Sequence, residues 1–257
     1  MAVTFTNKHN LPQEFVDAMM LDNHVVNGDI SVTTLIDAPQ IRQLKKSGDY
    51  EIDLSDMMAM FFGTAIHERL ESSNPIMHQG KILSLAANVI GADEGNEGHQ
   101  KVSKWIKGFQ KNLIKASPQN VLIEQTLTID VEGWTLSGTI DRYFKDTKTI
   151  RDYKTTTASQ LMQPDQKDSW YLQQNIYACM LRTSGYEVEN IEICAIVKDW
   201  SKMKINTSRD YPKSPFVTLK IKIAHNEEVL KYLDTRIALH KRADEGEQFP
   251  CTKKERW

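Results

Sequence analysis

The spacing of apolar and polar positions changes twice along this chain, and each change marks a new kind of element. LPQEFVDAMML (11–21) reads as a short amphipathic helix with Phe15, Met19 and Leu11 turned inward. SVTTLIDAPQIRQLKK (31–46) reads as a short β-like run, a turn at Ala38–Pro39, then one or two helical turns. The strongest helical period of the N-terminal half lies in SDMMAMFFGTAIHERLES (55–72). There Met58, Phe61, Phe62, Ala65, Ile66 and Leu70 form the apolar face behind Ser55 as N-cap. KILSLAANVIG is a further helix ended by Gly91, ADEGNEGHQ (92–100) an acidic loop suited to a lid, and a last helix runs from about 98 to 116.

Beyond Pro118 the period shortens to two. VLIEQTLTID, WTLSGTIDRYF and KTIRDYKT predict three successive strands in a meander. SWYLQQNIYACMLRTSG is a helix with Gly185 just past its end. IEICAIVKDW and FVTLKIKIA are two more strands, and NEEVLKYLDTRIALHKRADEG is a closing amphipathic helix before the tail QFPCTKKERW. The order predicts an α/β or α+β domain with a central mixed sheet flanked by helices. With no repeat and no linker, residues 1–257 read as one domain. It has a helical part to about 118, a core at about 119–225, and a C-terminal helix and tail at 226–257.

Composition narrows the class. At 257 residues, 40% hydrophobic and 26% charged, the chain has the makeup of a globular protein with a sizeable core. It contains no apolar run of membrane-spanning length and no basic-then-apolar leader, so a cytoplasmic protein is expected. Cys179, Cys194 and Cys251 are scattered, which argues against a structural zinc or four-cysteine site. A net charge of −2 does not advertise a nucleic-acid binder, but clusters set local fields. Lys104, Lys107, Lys111 and Lys115 form a helical stripe, the wet face of a helix or a binding face. Lys198, Lys202, Lys204, Arg209 and Lys213 alternate with Trp200, Tyr211 and Phe216, a pattern suited to gripping a nucleic-acid strand.

The candidate chemistry concentrates in the meander. A turn of even length centred on Asp146–Thr147 would pair Asp141 with Asp152 and Thr139 with Lys154. Opposed residues hold their Cβ atoms about 4.5–5.5 Å apart on one face. The period of two puts Lys154 on the face of Asp152. Two acids and an amine so placed suit a divalent metal, a phosphate and an attacking water; the alternative is a cross-strand surface salt bridge. Glu124, on the first strand, is a further ligand or an outward polar residue. His67, displaced from the inward Ile66, is a metal partner for the carboxylates or a solvent-facing imidazole. Gln173 and Tyr177 stand four apart on one helix face, within reach of phosphate oxygens or at the core edge.

GTAIHERLE (63–71), GTID (138–141), DYKT (152–155) and QQNIY (173–177) occur in this order. They resemble the GxxxHxxLE, GxxD, DxK and QxxxY motifs of the RecB-type branch of the PD-(D/E)XK nuclease superfamily. The resemblance spans about residues 30 to 180, and the SVTTLIDAPQIRQL and ERW flanks look most like phage-encoded members. It implies a restriction-endonuclease-like core. Asp141 and Asp152 would be metal-bridging carboxylates, with His67 and the backbone carbonyl of Tyr153 completing the shell. Lys154 would orient or help deprotonate the attacking water and offset charge on the phosphate. Gln173 and Tyr177 would position Lys154 and the DNA backbone. Related nucleases with four cysteines hold an iron–sulfur cluster; here Cys251 lacks such partners, so none is expected.

The expected cofactor is Mg²⁺ or Mn²⁺, with histidine tilting the choice towards Mn²⁺. The expected activity is divalent-metal-dependent DNA hydrolysis, most in keeping with an exonuclease on linear double-stranded ends in phage-type recombination or replication. The setting would then be the host cytoplasm, with DNA as partner, a homo-oligomer such as a ring around DNA, and a recombination or replication protein alongside. A structure-specific endonuclease, an RNA-directed enzyme and a catalytically silent nucleic-acid-binding module are the alternatives. Substituting Asp141 or Lys154 should abolish turnover and leave folding nearly intact.

Overall fold

A computed structural model describes residues 3–20, 27–72, 120–163, 168–206 and 208–249. The chain divides into two compact units, Met1–Gly63 with Leu122–Trp257, and Thr64–Val121. The helices predicted within residues 81–116, the acidic loop at 92–100 and the tail from 250 lie outside the described residues.

The first unit is built on a six-stranded mixed sheet. Its strands are β2 (Ile30–Ser31), β4 (Val121–Val131), β5 (Trp134–Phe144), β6 (Thr149–Thr156), β7 (Asn190–Val197) and β8 (Phe216–Lys220). The order is β2-β5-β6-β7-β8, with β4 also paired to β5. β5 and β6 are antiparallel, β6 and β7 parallel over eight residue pairs, and β7 and β8 antiparallel. The predicted three-strand meander is therefore present. The β4–β5 turn carries Glu132 and Gly133, both at positive φ (50° and 75°). A two-residue turn of that kind matches the right-handed twist of the strands it joins.

Side-chain alternation places the core on one face. On β7, Ile191, Ile193, Ala195 and Val197 are buried while Glu192, Cys194 and Ile196 between them are half-exposed. Val217 and Leu219 of β8 stand opposite Ala195 and Ile193 and continue this face. Helices α2 (Val32–Ile36), α6 (Asp168–Thr183) and α7 (Asn226–Asp244) pack against it through Leu35, Met180, Leu181, Leu233 and Ile237, all fully buried. Each such side chain contributes about 1.5–3 kcal/mol by leaving water. α6 ends at Thr183, and Gly185 just past it has a φ of 87° that suits glycine, as the sequence indicates.

Four local expectations need correction. The β-like run after Ser31 is the helix α2, because the Ser31 hydroxyl accepts the Thr34 N–H as an N-cap at 3.2 Å. Its far end is closed by Arg236, which donates to the carbonyls of Leu35, Ile36 and Asp37. Ser55 is not the cap of the long helix: Asp53 accepts from the Ser55 N–H and opens a 3₁₀ turn, Leu54–Met57, that leads into α4 (Met58–Ser72). In α1 (Gln13–Met20), Met19 is buried, but Phe15 is 42% exposed and meets Phe61 edge-on. β8 stops at Lys220, short of the alternation that continues to Ile223. The N-terminal strands β1 (Val3–Thr6) and β3 (Tyr50–Asp53) form a parallel pair of their own, and α3 (Pro39–Ser47) and the short α5 (Ala158–Met162) complete the elements among the described residues.

Candidate active site

β6 carries the centre of the site. Its register sets Asp152 beside Ile193 and Lys154 beside Ala195 of β7, so both face the core side of the sheet. Asp152 is 2% exposed. Lys154 Nζ lies 3.0 Å from Asp152 Oδ2. The lysine approaches away from hydrogen-bonding geometry, and Oδ2 has no hydrogen-bond donor among the described residues. A buried carboxylate oxygen of this kind is balanced in charge but still has a lone pair to offer.

β5 meets β6 at Arg142–Arg151, Tyr143–Ile150 and Phe144–Thr149, the register expected from the turn. One step further, the backbone pairs give way. The Tyr153 N–H donates to Asp141 Oδ2 at 2.7 Å, so a side chain takes over where the ladder ends. The buried positions of β5 change phase at the same place, from Leu136 and Ile140 to Tyr143. The expected pairing of Thr139 with Lys154 is replaced by a bond between the Thr139 and Thr126 hydroxyls, 3.0 Å apart, towards β4.

Glu124 belongs to this group. Its carboxylate and that of Asp141 offer oxygens within 4.8 Å of each other. Its φ is 46°, left-handed backbone in mid-strand. A non-glycine residue there stores strain, and such strain gathers at functional sites.

From α6, Gln173 Nε2 donates to the Tyr177 hydroxyl at 3.1 Å. Burial pushes the Tyr177 phenol above its ordinary pKa, and the charges of Asp152, Asp141 and Glu124 push it the same way against the Gln173 hydrogen bond. Tyr177 therefore remains a protonated phenol. His67 lies on the part of α4 that belongs to the second unit.

The family model of the PD-(D/E)XK nuclease superfamily matches residues 41–255. The chain belongs to the PD-(D/E)XK nuclease superfamily. Among solved structures, this PD-(D/E)XK chain is similar to the protein SSO0001, with 14% identity and a TM-score of 0.46 over 88% of this chain and 83% of the other. It is also similar to a candidate exonuclease from Eubacterium rectale, with 15% identity and a TM-score of 0.42 over 75% and 69% of the two chains. A phage-related exonuclease from Haemophilus somnus 129PT gives 16% identity and a TM-score of 0.32 over 66% and 84%. No curated protein matches. Among the described residues, no helix of this PD-(D/E)XK protein is long and apolar enough to cross a membrane.

PD-(D/E)XK nucleases generally use divalent metals, and the donors here fit one. They are hard carboxylate oxygens, and the buried Asp152 Oδ2 has no hydrogen-bond donor among the described residues.

The basic loop after β7 is held from within. The Lys198 N–H donates to the Thr156 carbonyl, the Trp200 indole to the Pro212 carbonyl and the Ser201 N–H to the Tyr211 hydroxyl, at 2.8–2.9 Å. Tyr211 is buried beside Ala158, Leu161, Ala195 and Val197. Tyr211 is thus a buried anchor rather than a stacking platform, Trp200 is half-buried and tied by its indole N–H, and Phe216 is 60% exposed. Lys202, Lys204 and Arg209 are all exposed on this loop, whereas the Lys104–Lys115 stripe lies outside the described residues. The sequence reading took Gly138 only as the first position of GTID and gave it no role. The available signal was a glycine inside a strand, which marks a close approach.

Proposed function

We propose that this chain is a divalent-metal-dependent deoxyribonuclease, an exonuclease that hydrolyses linear double-stranded DNA from its ends in phage-type recombination or replication. The observation that carries the reading is the ion pair of Lys154 with the buried Asp152, set beside the Asp141–Tyr153 bond in a chain of nuclease ancestry. Asp141, Asp152, Glu124 and the Tyr153 carbonyl would hold Mg²⁺ or Mn²⁺. In an extended strand the N–H and C=O of one residue point to the same edge, so the Tyr153 carbonyl is directed to the side of Asp141. When bound, the cation supplies Lewis-acid stabilisation of phosphate charge and lowers the pKa of an attacking water.

The chain's own groups do the rest. The Lys154 ammonium orients the water and offsets charge that builds on the phosphate in the transition state. Tyr177, supported by Gln173, donates to a phosphate oxygen. Lys202, Lys204 and Arg209 grip the DNA backbone as exposed cations.

Digestion of linear and covalently closed circular plasmid with Mg²⁺ or Mn²⁺, with Lys154→Ala alongside, tests the proposal. Loss of linear DNA alone, abolished in the variant, is expected. Cleavage of both forms would move the protein to an endonuclease, and cleavage of neither would leave a nucleic-acid-binding module.

A further inference from the structure

We infer that Gly138 is a positioning residue whose missing side chain seats the Tyr177 ring against β5, three residues before Asp141; this rests on the nuclease reading above. Gly138 lies within β5 and is not among the glycines at positive φ, so its backbone alone does not demand glycine. Space demands it. A Cβ at 138 would stand 2.5 Å from Tyr177 Cε1 and 2.8 Å from Val32 Cγ2. Neither neighbour has room to yield, since Tyr177 is 5% exposed and Val32 is 1% exposed.

The seat matters because of what the far end of the ring does. The hydroxyl accepts the Gln173 amide N–H at 3.1 Å, which leaves its own proton to donate. Burial and the charges of Asp152, Asp141 and Glu124 keep this phenol protonated, so on the nuclease reading it has a proton to offer a phosphate oxygen. A methyl group at 138 lifts the ring at its Cε1 edge, the edge next to the carbon that bears the hydroxyl. Loss of activity follows from a displaced donor and not from a disturbed core.

A double-mutant cycle separates those two causes. Gly138→Ala and Tyr177→Phe are each expected to lower kcat on linear DNA about tenfold or more. Together they are expected to cost no more than the worse single change, because the alanine has no hydroxyl left to misplace. Losses that multiply would overturn the inference and make Gly138 a packing residue only. The second readout needs no DNA: tyrosinate absorbance during a pH titration. Gly138→Ala should add one tyrosine to those titrating at ordinary pH, and Tyr177→Phe in the same background should remove it. An unchanged titration would also overturn the seat. Wild-type protein inactive on DNA with either metal would end the nuclease reading and this role with it. The titration would then still report whether Gly138 seats the ring.

Discussion

Lys154 Nζ stands 3.0 Å from the Oδ2 of a nearly buried Asp152. On the proposed mechanism, removing the lysine takes a transition-state charge away, and it also leaves the carboxylate without its balancing cation. Lys154→Met should lower kcat by at least about 100-fold. It should also lower the metal-free melting temperature, because a buried charge that loses its partner is costly. Added Mg²⁺ or Mn²⁺ should recover more stability in the variant than in the wild type. Scanning calorimetry with and without EDTA checks this, and the result refines the sequence-based expectation of nearly intact folding.

The positive φ of Glu124 makes a second case (46°). Glu124→Gly relieves the left-handed backbone and should raise stability by about 1 kcal/mol. The same change removes a carboxylate that offers an oxygen within 4.8 Å of one from Asp141. Glu124→Gly and Glu124→Gln should both need more metal for half-maximal activity, and the glycine variant alone should melt higher. Metal titration of activity together with denaturant unfolding distinguishes them.

His240 should give the fold a pH limit of its own. It is fully buried, its Nε2 lies 3.2 Å from the Leu35 carbonyl, and Nδ1 has no partner among the described residues. Burial lowers its pKa to about 4, and the nearby Arg236 and Arg42 push the same way. The unfolded chain, with an ordinary histidine near 6.5, binds the proton more readily. Its stabilising contribution is therefore complete above about pH 6.5 and is lost as pH falls towards 4. His240→Gln should flatten that part of the stability profile in denaturant melts taken from pH 7 to 4.

Lys202 and Lys204 are exposed on a loop tied down by Trp200 and Tyr211. Each lysine changed to alanine should weaken DNA binding at any sequence and reduce the slope of log K against log salt by about 1. Fluorescence anisotropy across a salt series measures it. A change of sequence preference would contradict a pure phosphate contact.

Much of this fold could be read from periodicity, because β-branched alternation and helix spacing act locally. The β4–β5–β6 meander, α6 with its Gly185 stop and the Asp152–Lys154 face all follow from patterns a few residues long. The misreadings came from longer-range competition. VTTLI has strand-like composition, yet the Ser31 cap at one end and Arg236 at the other, 200 residues away, hold it helical. Trp200 and Tyr211 look like stacking aromatics in sequence, but their polar atoms are used inside the loop. Period two carried Asp141 to the right end of the hairpin, and could not foresee that its carboxylate would replace a rung of the ladder.

That substitution gives the protein a built-in reporter. Along one edge β6 is zipped to β7 for its whole length, while on the other its Tyr153 amide donates to the Asp141 carboxylate. Whatever draws the Asp141 oxygen away changes the hydrogen bonding of one identifiable amide in a strand otherwise paired along β7. Its proton resonance and its hydrogen exchange would thus register the state of the site from the backbone, with no label and no turnover.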